Sequence, residues 1–324
     1  MAHPPSEKLS YFCTKMKVTI SILTYNRSKY LKKLLTSLIS LDYKPFEIIV
    51  IDNHSEDDTQ QMMTDEFPYI SYIRTERNIG AEARNLGMKK ALGDIIITLD
   101  DDIIGLDDDA ILNIVKWFSA DTDLGALNFK VIDALTGGLC NWVHHYKPED
   151  YSHKDFITYE ITEGAVAFRK LALERSGYYP ENFFLSHEGP DLAFRLLENG
   201  LKVIYSSEIV VEHYTANEGR TSWRNYYFDT RNQFLLAARN FPVGYALRYL
   251  TMGLAVMLAY SIRDGYTTYW LKAVYDGVKG LGAVLKDRKV LSKNTMAIIK
   301  NIDSNKPNLA YLVRRRLFRR GIRI

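Results

Sequence analysis

Cysteines are few in this chain, and its N-terminus has no secretory signal. Only Cys13 and Cys140 occur among the 324 residues, and neither has a partner at the CxxC spacing of a metal site. A disulfide scaffold is therefore excluded, and the composition is typical of a reducing cytosol. Residues 1–17 mix Pro, Ser, Lys and Glu without the apolar core of a signal peptide. We therefore expect a short leader over residues 1–16 and no export.

The glycine-rich loops that hold phosphates in many nucleotide-binding proteins are also missing. No GxGxxG follows a predicted strand, and no GxxxxGK[ST] occurs in the chain. A dinucleotide-binding fold and a P-loop would therefore lack their phosphate cradle. An anionic cofactor would instead need a metal ion and an arginine side chain.

The formal net charge of +3 is unevenly distributed. Six arginines lie in an acid-free C-terminal tail, namely Arg314, Arg315, Arg316, Arg319, Arg320 and Arg323. One short basic run without interleaved aromatic residues is a weak nucleic-acid footprint, so we expect no nucleic-acid partner.

Apolar runs alternate with helical patterns over most of the first two thirds of the chain. The helical patterns cover residues 29–40, 56–66, 80–91 and 109–118, and the apolar runs cover residues 18–23, 47–51, 70–74, 95–99, 203–205 and 209–211. This alternation predicts βαβ units and a largely parallel sheet. Ser28 is the predicted cap of the first helix, and Asp107, Asp108 and Asp109 are predicted to be helix N-terminal charges.

Three consecutive carboxylates, Asp100, Asp101 and Asp102, follow the apolar run 95–99. Open α/β sheets bind their ligands at the carboxyl ends of the strands. Adjacent anions repel one another unless a cation or hydrogen-bond donors compensate, and Mg²⁺ or Mn²⁺ is such a cation. The alternative interpretation is a solvated acidic turn.

Polar clusters also end the first two strands, at residues 24–27 and 52–55. Strands that run parallel would bring both clusters to the same crevice as the acidic triplet. Arg84 stands at the start of a predicted helix, where it would supply the arginine that a diphosphate needs. Gly80, just before it, permits a close backbone approach.

In this order and spacing, the motifs resemble those of the family 2 glycosyltransferases over residues 17–215, including rhamnosyltransferase-like members. The resemblance implies an α/β GT-A fold, with a mixed sheet flanked by helices. It also implies inverting transfer from a nucleotide-diphosphate sugar, with Mg²⁺ or Mn²⁺ as cofactor. The expected organisation is a catalytic domain over residues 17–221 and a helical extension over residues 222–324.

The resemblance assigns donor-binding roles to residues of the crevice. Thr24, Tyr25 and Arg27 would line the base and ribose, and Asp52 would accept a hydrogen bond from a pyrimidine ring. The remaining implied donor-binding residues are Arg84, Asn85, Asp100, Asp101 and Gly164, of which Gly164 would leave room for the sugar. The expected donor is a UDP- or dTDP-sugar.

The metal site follows from the same resemblance. Asp102 corresponds to the direct metal ligand, with Asp100 in the same acidic element. His213 stands at the end of the last predicted strand, where the family has a histidine that completes the metal shell. Metal binding would weaken as this imidazole is protonated.

Inversion needs a base that takes the proton of the acceptor hydroxyl. Residues 183–195 resemble the family's Glu-Asp-x-Asp-Leu segment, but Gly189 stands where many members carry the basic aspartate. Glu188 is the nearest carboxylate, so we expect it to be the base. Asp191 is the second candidate, either for acceptor binding or as a helix N-terminal charge.

The C-terminal region leaves two interpretations open. The apolar run 249–262 lies between Arg248 and Arg263 and is shorter than the roughly 20 residues that span a bilayer. It would lie in the membrane interface, helped by the arginine tail, or be an ordinary buried helix. We expect a cytoplasmic protein, peripheral at the inner face of the cell membrane.

The expected acceptor is a lipid-linked or nascent surface glycan. Two other functions stay open. A nucleotidyltransferase also uses carboxylates and a metal, although no glycine-rich, lysine-bearing loop follows the first strand. A nucleotide-sugar-binding or scaffold protein with a degraded site is suggested by Gly189.

Overall fold

The computed structural model describes residues 16–43, 46–214, 223–308 and 311. The predicted leader, apart from residue 16, and the arginine tail lie outside the described residues. Nine strands occur in the described part, namely β1 (Val18–Thr24), β2 (Phe46–Asp52), β3 (Ser71–Arg74), β4 (Ile95–Asp100), β5 (Ile103–Ile104), β6 (Leu124–Asp133), β7 (Phe156–Ile157), β8 (Ala165–Arg169) and β9 (Lys202–His213).

The helices of residues 16–214 lie between these strands in the chain. They are α1 (Ser28–Ile39), α2 (Thr59–Glu66), a 3₁₀ helix (Gly80–Ala83), α3 (Arg84–Lys90), α4 (Asp108–Ala120), α5 (Pro148–Tyr151), α6 (Lys170–Ser176) and α7 (Glu188–Glu198). Four further helices follow, α8 (Trp223–Asn240), α9 (Val243–Asp264), α10 (Thr267–Lys286) and α11 (Lys293–Asp303).

All nine strands belong to one mixed sheet of order β3-β2-β1-β4-β8-β6-β9-β5, with β7 paired to β9. Strands β3, β2, β1 and β4 are parallel to one another. Strand β8 is antiparallel to both β4 and β6, which makes the sheet mixed. The predicted fold class, a mixed sheet flanked by helices with C-terminal helices after it, is confirmed.

Apolar side chains cover both faces of the sheet because successive residues of a strand point to opposite sides. In β4, Ile95 and Ile97 are buried in a core with the apolar face of α1. Ile96, between them, is buried in a second core with Leu192 of α7 and Leu236 of α8. Since both faces are covered, polar side chains collect where the strands end.

One predicted helix cap is wrong, and one predicted helix is divided in two. Helix α1 begins at Ser28 itself, and the cap residue Arg27 makes no side-chain cap hydrogen bond, so Ser28 is not the cap. The predicted helix over residues 80–91 divides into the 3₁₀ helix and α3. Gly80 has a left-handed φ of 70°, and a Cβ there would overlap the carbonyl of Phe184. The backbone that approaches Gly80 closely is therefore that of Phe184, and the predicted approach of an anionic ligand stays a prediction.

Strand β9 also differs from its predicted form. The sequence predicted two short strands over residues 203–205 and 209–211, whereas one strand covers Lys202–His213. The polar residues between the two apolar runs interrupt the pattern without interrupting the strand, which shifts register against β6 between Asn128 and Lys130. The continuous strand carries His213 to the end of the sheet where Asp102 lies.

The C-terminal helices pack against the sheet-containing part of the chain through α8, whose Leu235, Leu236 and Ala237 belong to the second core. Helix α9 is 22 residues long, and within the described part it alone is long and apolar enough to cross a membrane. Only 11% of its most apolar 18-residue stretch is buried. Helix α9 is therefore longer than the apolar run 249–262, which was predicted to be too short to span a bilayer.

Candidate active site

The acidic triplet lies in a tight turn between β4 and β5. Asp100 ends β4, and the pairing of Ile103 with His213 brings the end of β9 beside the turn. The backbone N–H of Tyr214 donates to the carbonyl of Asp102 at 2.9 Å. As a result, His213 Nε2 lies 3.3 Å from Asp102 Oδ2.

Arg27 and Thr24, at the end of β1, are directed at the triplet. Arg27 Nη1 donates to Asp101 Oδ1 at 3.1 Å and also forms an ion pair with Asp102. Thr24 Oγ1 donates to Asp101 Oδ2 at 2.7 Å. These donors offset the repulsion between adjacent carboxylates. The predicted contacts of both residues with base and ribose stay predictions.

Burial and neighbours shift two pKa values at this edge. Burial raises the pKa of Asp101 to about 7, against the opposing charge of Arg27. Burial alone would lower the pKa of His213, but its hydrogen bond to Asp102, the charge of that carboxylate and its interaction with Cys140 together outweigh burial and raise that pKa to about 9. At neutral pH the imidazole therefore carries a proton that a metal would have to displace.

The residues present fit a divalent metal held by Asp102 and His213. Asp102 Oδ1 is buried and accepts no hydrogen bond in the structure, which is unfavourable unless a cation satisfies it. No group of three or more His, Cys, Asp or Glu forms a metal site among the described residues. The remaining ligands would be diphosphate oxygens and water, as is usual for Mg²⁺. The predicted ligand role of Asp100 stays a prediction.

Arg84 opens helix α3 and forms an ion pair with Asp100. Its Nε and Nη1 atoms are buried and have no hydrogen-bond partner. A guanidinium with unused donors is a suitable site for a diphosphate. A Cβ at Gly164 would overlap the Asp100 carboxylate, so Gly164 makes room for Asp100. The predicted contact of Gly164 with the donor sugar stays a prediction.

The carboxylate of Asp52 is fully buried at the end of β2. Its Oδ1 accepts from the backbone N–H of Ser55 at 2.7 Å, and its Oδ2 accepts from the hydroxyl of Tyr72 at 2.5 Å. Each carboxylate oxygen has a second lone pair, so a bond from a pyrimidine N–H is still available. Tyr25, 38% exposed, stands at the end of the neighbouring β1.

Asn85 and Asp191 hold neighbouring elements together. The side chain of Asn85 bonds both the N–H and the carbonyl of Tyr179, at 3.0 and 2.9 Å. Asp191 is fully buried and accepts from Arg195 at 3.0 Å and from Asn240 at 2.8 Å, which joins α7 to α8. Their predicted roles in donor and acceptor binding stay predictions.

The loop before α7 has an unusual backbone. Four non-glycine residues in it have left-handed φ values of 65–70°, namely Asn182, Phe184, Ser186 and His187. Such residues cost free energy and persist only where the surroundings hold them. Asn232 of α8 donates to the carbonyls of residues 183, 185 and 186 at 2.7–2.9 Å. Arg231 donates to the carbonyls of residues 182 and 183, at 2.7 Å each.

Glu188 follows this loop and opens α7. It is 3% exposed, and its Oε2 atom is buried without a hydrogen-bond partner. Burial raises its pKa, which makes the carboxylate a stronger proton acceptor. His187 Nε2 lies 3.0 Å from Asp229 Oδ1 of α8. The Oε2 atom of Glu188 is therefore a buried acceptor directly after a loop that α8 fixes by hydrogen bonds, which is a suitable position for a general base.

Three residues near Glu188 were missed by sequence reasoning. They are Glu163, which lies against Gly189, and Asp229 and Asn232, which contact the loop before α7. Each one is far in sequence from the group it contacts. No local pattern distinguishes them from ordinary polar residues.

Comparisons with known proteins agree with this geometry. The family model "Glycosyl transferase family 2" matches residues 19–175. The O-antigen chain rhamnosyltransferase RfbN of Salmonella typhimurium is 28% identical over 241 residues, which are 66% of this chain and 71% of RfbN. The sheet and the site therefore define a glycosyltransferase of the GT-A fold.

Solved structures of glycosyltransferases share the fold of this chain. Residues 1–349 of Staphylococcus aureus TarS in complex with UDP-GlcNAc superpose with a TM-score of 0.59 at 19% identity, covering 89% of this chain and 88% of that one. The mannosyltransferase PcManGT of Pyrobaculum calidifontis, with GDP-Man and Mn²⁺, superposes at 0.53 and 19% identity, covering 91% and 84%. Residues 19–175 of the chain form a domain that matches glycosyl transferase family 2.

Proposed function

We propose that this protein is an inverting, metal-assisted transferase that moves a sugar from a UDP- or dTDP-sugar to a hydroxyl of a lipid-linked or nascent surface glycan. The observation that supports this most is the set of buried polar atoms without partners, namely Asp102 Oδ1, Arg84 Nε and Nη1, and Glu188 Oε2. Buried polar groups are normally hydrogen-bonded, so these atoms indicate sites for a cation, an anion and a hydroxyl.

Each side chain has a separate task in a single displacement. Arg84 binds the diphosphate through its two unused nitrogen atoms and stabilises the charge that gathers there as the sugar leaves. Glu188 takes the proton of the acceptor hydroxyl, which attacks from the face opposite the diphosphate. A divalent metal held by Asp102 and His213 would neutralise further diphosphate charge.

The relatives support a nucleotide-diphosphate-sugar donor. TarS was solved with UDP-GlcNAc and PcManGT with GDP-Man and Mn²⁺, while RfbN is named a rhamnosyltransferase. The buried carboxylate of Asp52 favours a base with a ring N–H, as uracil and thymine have. We therefore place UDP- and dTDP-sugars ahead of CDP-sugars; guanine also has a ring N–H, so the titration with GDP separates GDP-sugars from them.

Ligand-induced thermal stabilisation tests the donor site. The protein is titrated with UDP, dTDP, GDP and CDP, each with and without Mn²⁺, and the series is repeated on Asp102→Ala. We expect metal-dependent stabilisation by a uracil or thymine diphosphate, lost in the variant, because a bound ligand stabilises the folded state by mass action. No response to any nucleotide would contradict the proposal.

A second variant tests the reaction rather than binding. Glu188→Gln keeps the size of the side chain and removes its basicity. We expect release of the nucleotide diphosphate to fall by about 10²–10⁴-fold with nucleotide affinity retained. Loss of nucleotide affinity in this variant would show that Glu188 belongs to the donor site instead.

We also propose that the protein lies on the inner face of an anionic membrane. Exposed apolar side chains on α9 and α10 support this, namely Leu247, Met252, Val256, Ile262, Leu271, Tyr275, Val278 and Leu285. Lys272, Lys279 and Lys286 recur every seven residues on α10, each next to one of the exposed apolar residues. An apolar stripe edged by lysines suits a helix lying in the interface, where the ammonium groups meet anionic headgroups.

A further inference from the structure

Gly189 is the position where the chain departs from the family pattern, and the space beside it is filled. A Cβ built on Gly189 would overlap Oε1 of Glu163. The next nearest atom is the carbonyl oxygen of Ile161, at 2.9 Å from that Cβ. The carboxylate of Glu163 therefore occupies the volume into which a side chain at position 189 would extend.

The backbone around Glu163 is held firmly. The N–H of Thr162 donates to Asn128 Oδ1 at 2.7 Å, and Thr98 Oγ1 donates to the carbonyl of Glu163 at 2.9 Å. The next residue, Gly164, lies against Asp100 of the acidic triplet. Glu163 is thus anchored between the donor side of the site and the start of α7, and its side chain is only half-buried.

Charges of both signs surround the Glu163 carboxylate. Burial raises its pKa well above the ordinary value, and the neighbouring Glu188 raises it further. Glu160 acts in the same direction, while Arg84 opposes them. The charge of Glu163 in turn raises the pKa of the buried Tyr179 hydroxyl, after the larger effect of burial. Carboxyl groups that raise each other's pKa in this way hold one proton between them over part of the pH range and titrate as a pair.

We propose that Glu163 supplies the carboxylate that position 189 lacks, and that Glu163 and Glu188 together accept the proton of the acceptor hydroxyl. This inference rests on the proposed function. The hydroxyl oxygen bonds to the anomeric carbon while the bond from that carbon to the diphosphate oxygen breaks. The bonding electron pair leaves with the diphosphate, and the hydroxyl proton passes to the ionised member of the pair.

The test moves the carboxylate back to position 189. The variants are Glu163→Gln, Glu163→Ala, Glu163→Ala/Gly189→Asp and the matched control Glu163→Ala/Gly189→Ala. Shortening Glu163 removes the overlap with its carboxylate at Gly189. The carbonyl of Ile161, at 2.9 Å from a Cβ there, must still shift, and the alanine control carries the same contact. Release of UDP from UDP-GlcNAc and of dTDP from dTDP-rhamnose is measured with water as the acceptor. UDP and dTDP affinity and thermal unfolding are measured on every variant.

We expect Glu163→Gln and Glu163→Ala to lower kcat by about 10²-fold or more, with nucleotide affinity within about threefold of the wild type. The double variant with an aspartate at position 189, Glu163→Ala/Gly189→Asp, should have a kcat at least about tenfold higher than that of its alanine control. A structural role for Glu163 alone would not predict this rescue, because both double variants fill the same space next to the backbone of position 189.

The other outcomes overturn the inference and separate it from the proposed function. If Glu163→Gln retains wild-type kcat, or loses nucleotide affinity together with kcat, Glu163 is not part of the base. If both Glu163 variants are inactive and neither double variant recovers, the carboxylate does not substitute for position 189. If the wild type binds UDP or dTDP but releases neither from a sugar donor, the transfer reaction itself is wrong, and this inference falls with it.

Discussion

Helix α8 fixes the loop before α7 by hydrogen bonds, and the structure allows the loss of stability on removing them to be calculated. Asn232 is fully buried, and its single amide nitrogen donates to three backbone carbonyls of that loop. The variant Asn232→Ala removes all three contacts and leaves the carbonyls facing an apolar methyl group. The loop contains four left-handed non-glycine residues, which persist only where the surroundings hold them. Arg231 still donates to the carbonyls of residues 182 and 183 in the variant, so the carbonyls of residues 185 and 186 are the ones that lose their donor.

The size of the effect follows from the number of hydrogens on the amide. Asn232 has two N–H donors, so the three contacts amount to two hydrogen bonds at full strength. Each lost bond that leaves a buried acceptor unsatisfied costs about 1–3 kcal/mol. We therefore expect the free energy of unfolding to fall by about 2–6 kcal/mol. We expect kcat to fall more than nucleotide affinity, because Glu188 follows the loop directly.

Urea unfolding, nucleotide titration and nucleotide release together measure these quantities. Asn199→Ala is the matched control, because Asn199 is exposed and its amide bonds Ser176 and the carbonyl of Arg195. A surface amide of this kind should cost no more than about 0.5 kcal/mol. A loss below about 1 kcal/mol for Asn232→Ala, or an equal loss in the control, would refute the reasoning.

Two further predictions concern pH and membrane binding. Because the pKa of His213 is raised to about 9, its contribution to stability is complete below about pH 6.5 and is lost as the pH rises through 9. Mn²⁺-dependent stabilisation should therefore grow from about pH 6.5 to about pH 9 in thermal unfolding, and a pH-independent shift would exclude His213 as a ligand. Replacing Lys272, Lys279 and Lys286 by Glu should abolish flotation with phosphatidylglycerol vesicles and leave nucleotide affinity unchanged. Equal flotation of wild type and variant would argue against the lysine row as a contact.

Much of the fold was predictable because it depends on local periodicity. The continuous apolar runs in β2 and β4 indicate burial on both faces, and the acidic triplet marks the end of a strand without any tertiary information. Helix ends were less predictable, since Ser28 has the composition of a cap but begins the helix instead. Nothing in the local pattern indicated that residues 203–205 and 209–211 form one strand.

The sequence by itself determined the α/β class, the place of Asp102 after β4 and the position of Glu188 at the start of a helix. Those features depend on residues close together in the chain. The crevice shared by Arg27 and the triplet, and the meeting of His213 with Asp102, were expected from the parallel strands and from the family resemblance. Only the tertiary structure decided that Glu163 fills the space beside Gly189 and that Asn232 bonds the loop before α7. Such contacts depend on the order of the strands and on the antiparallel insertion of β8 between β4 and β6, which brings together side chains that no local spacing relates.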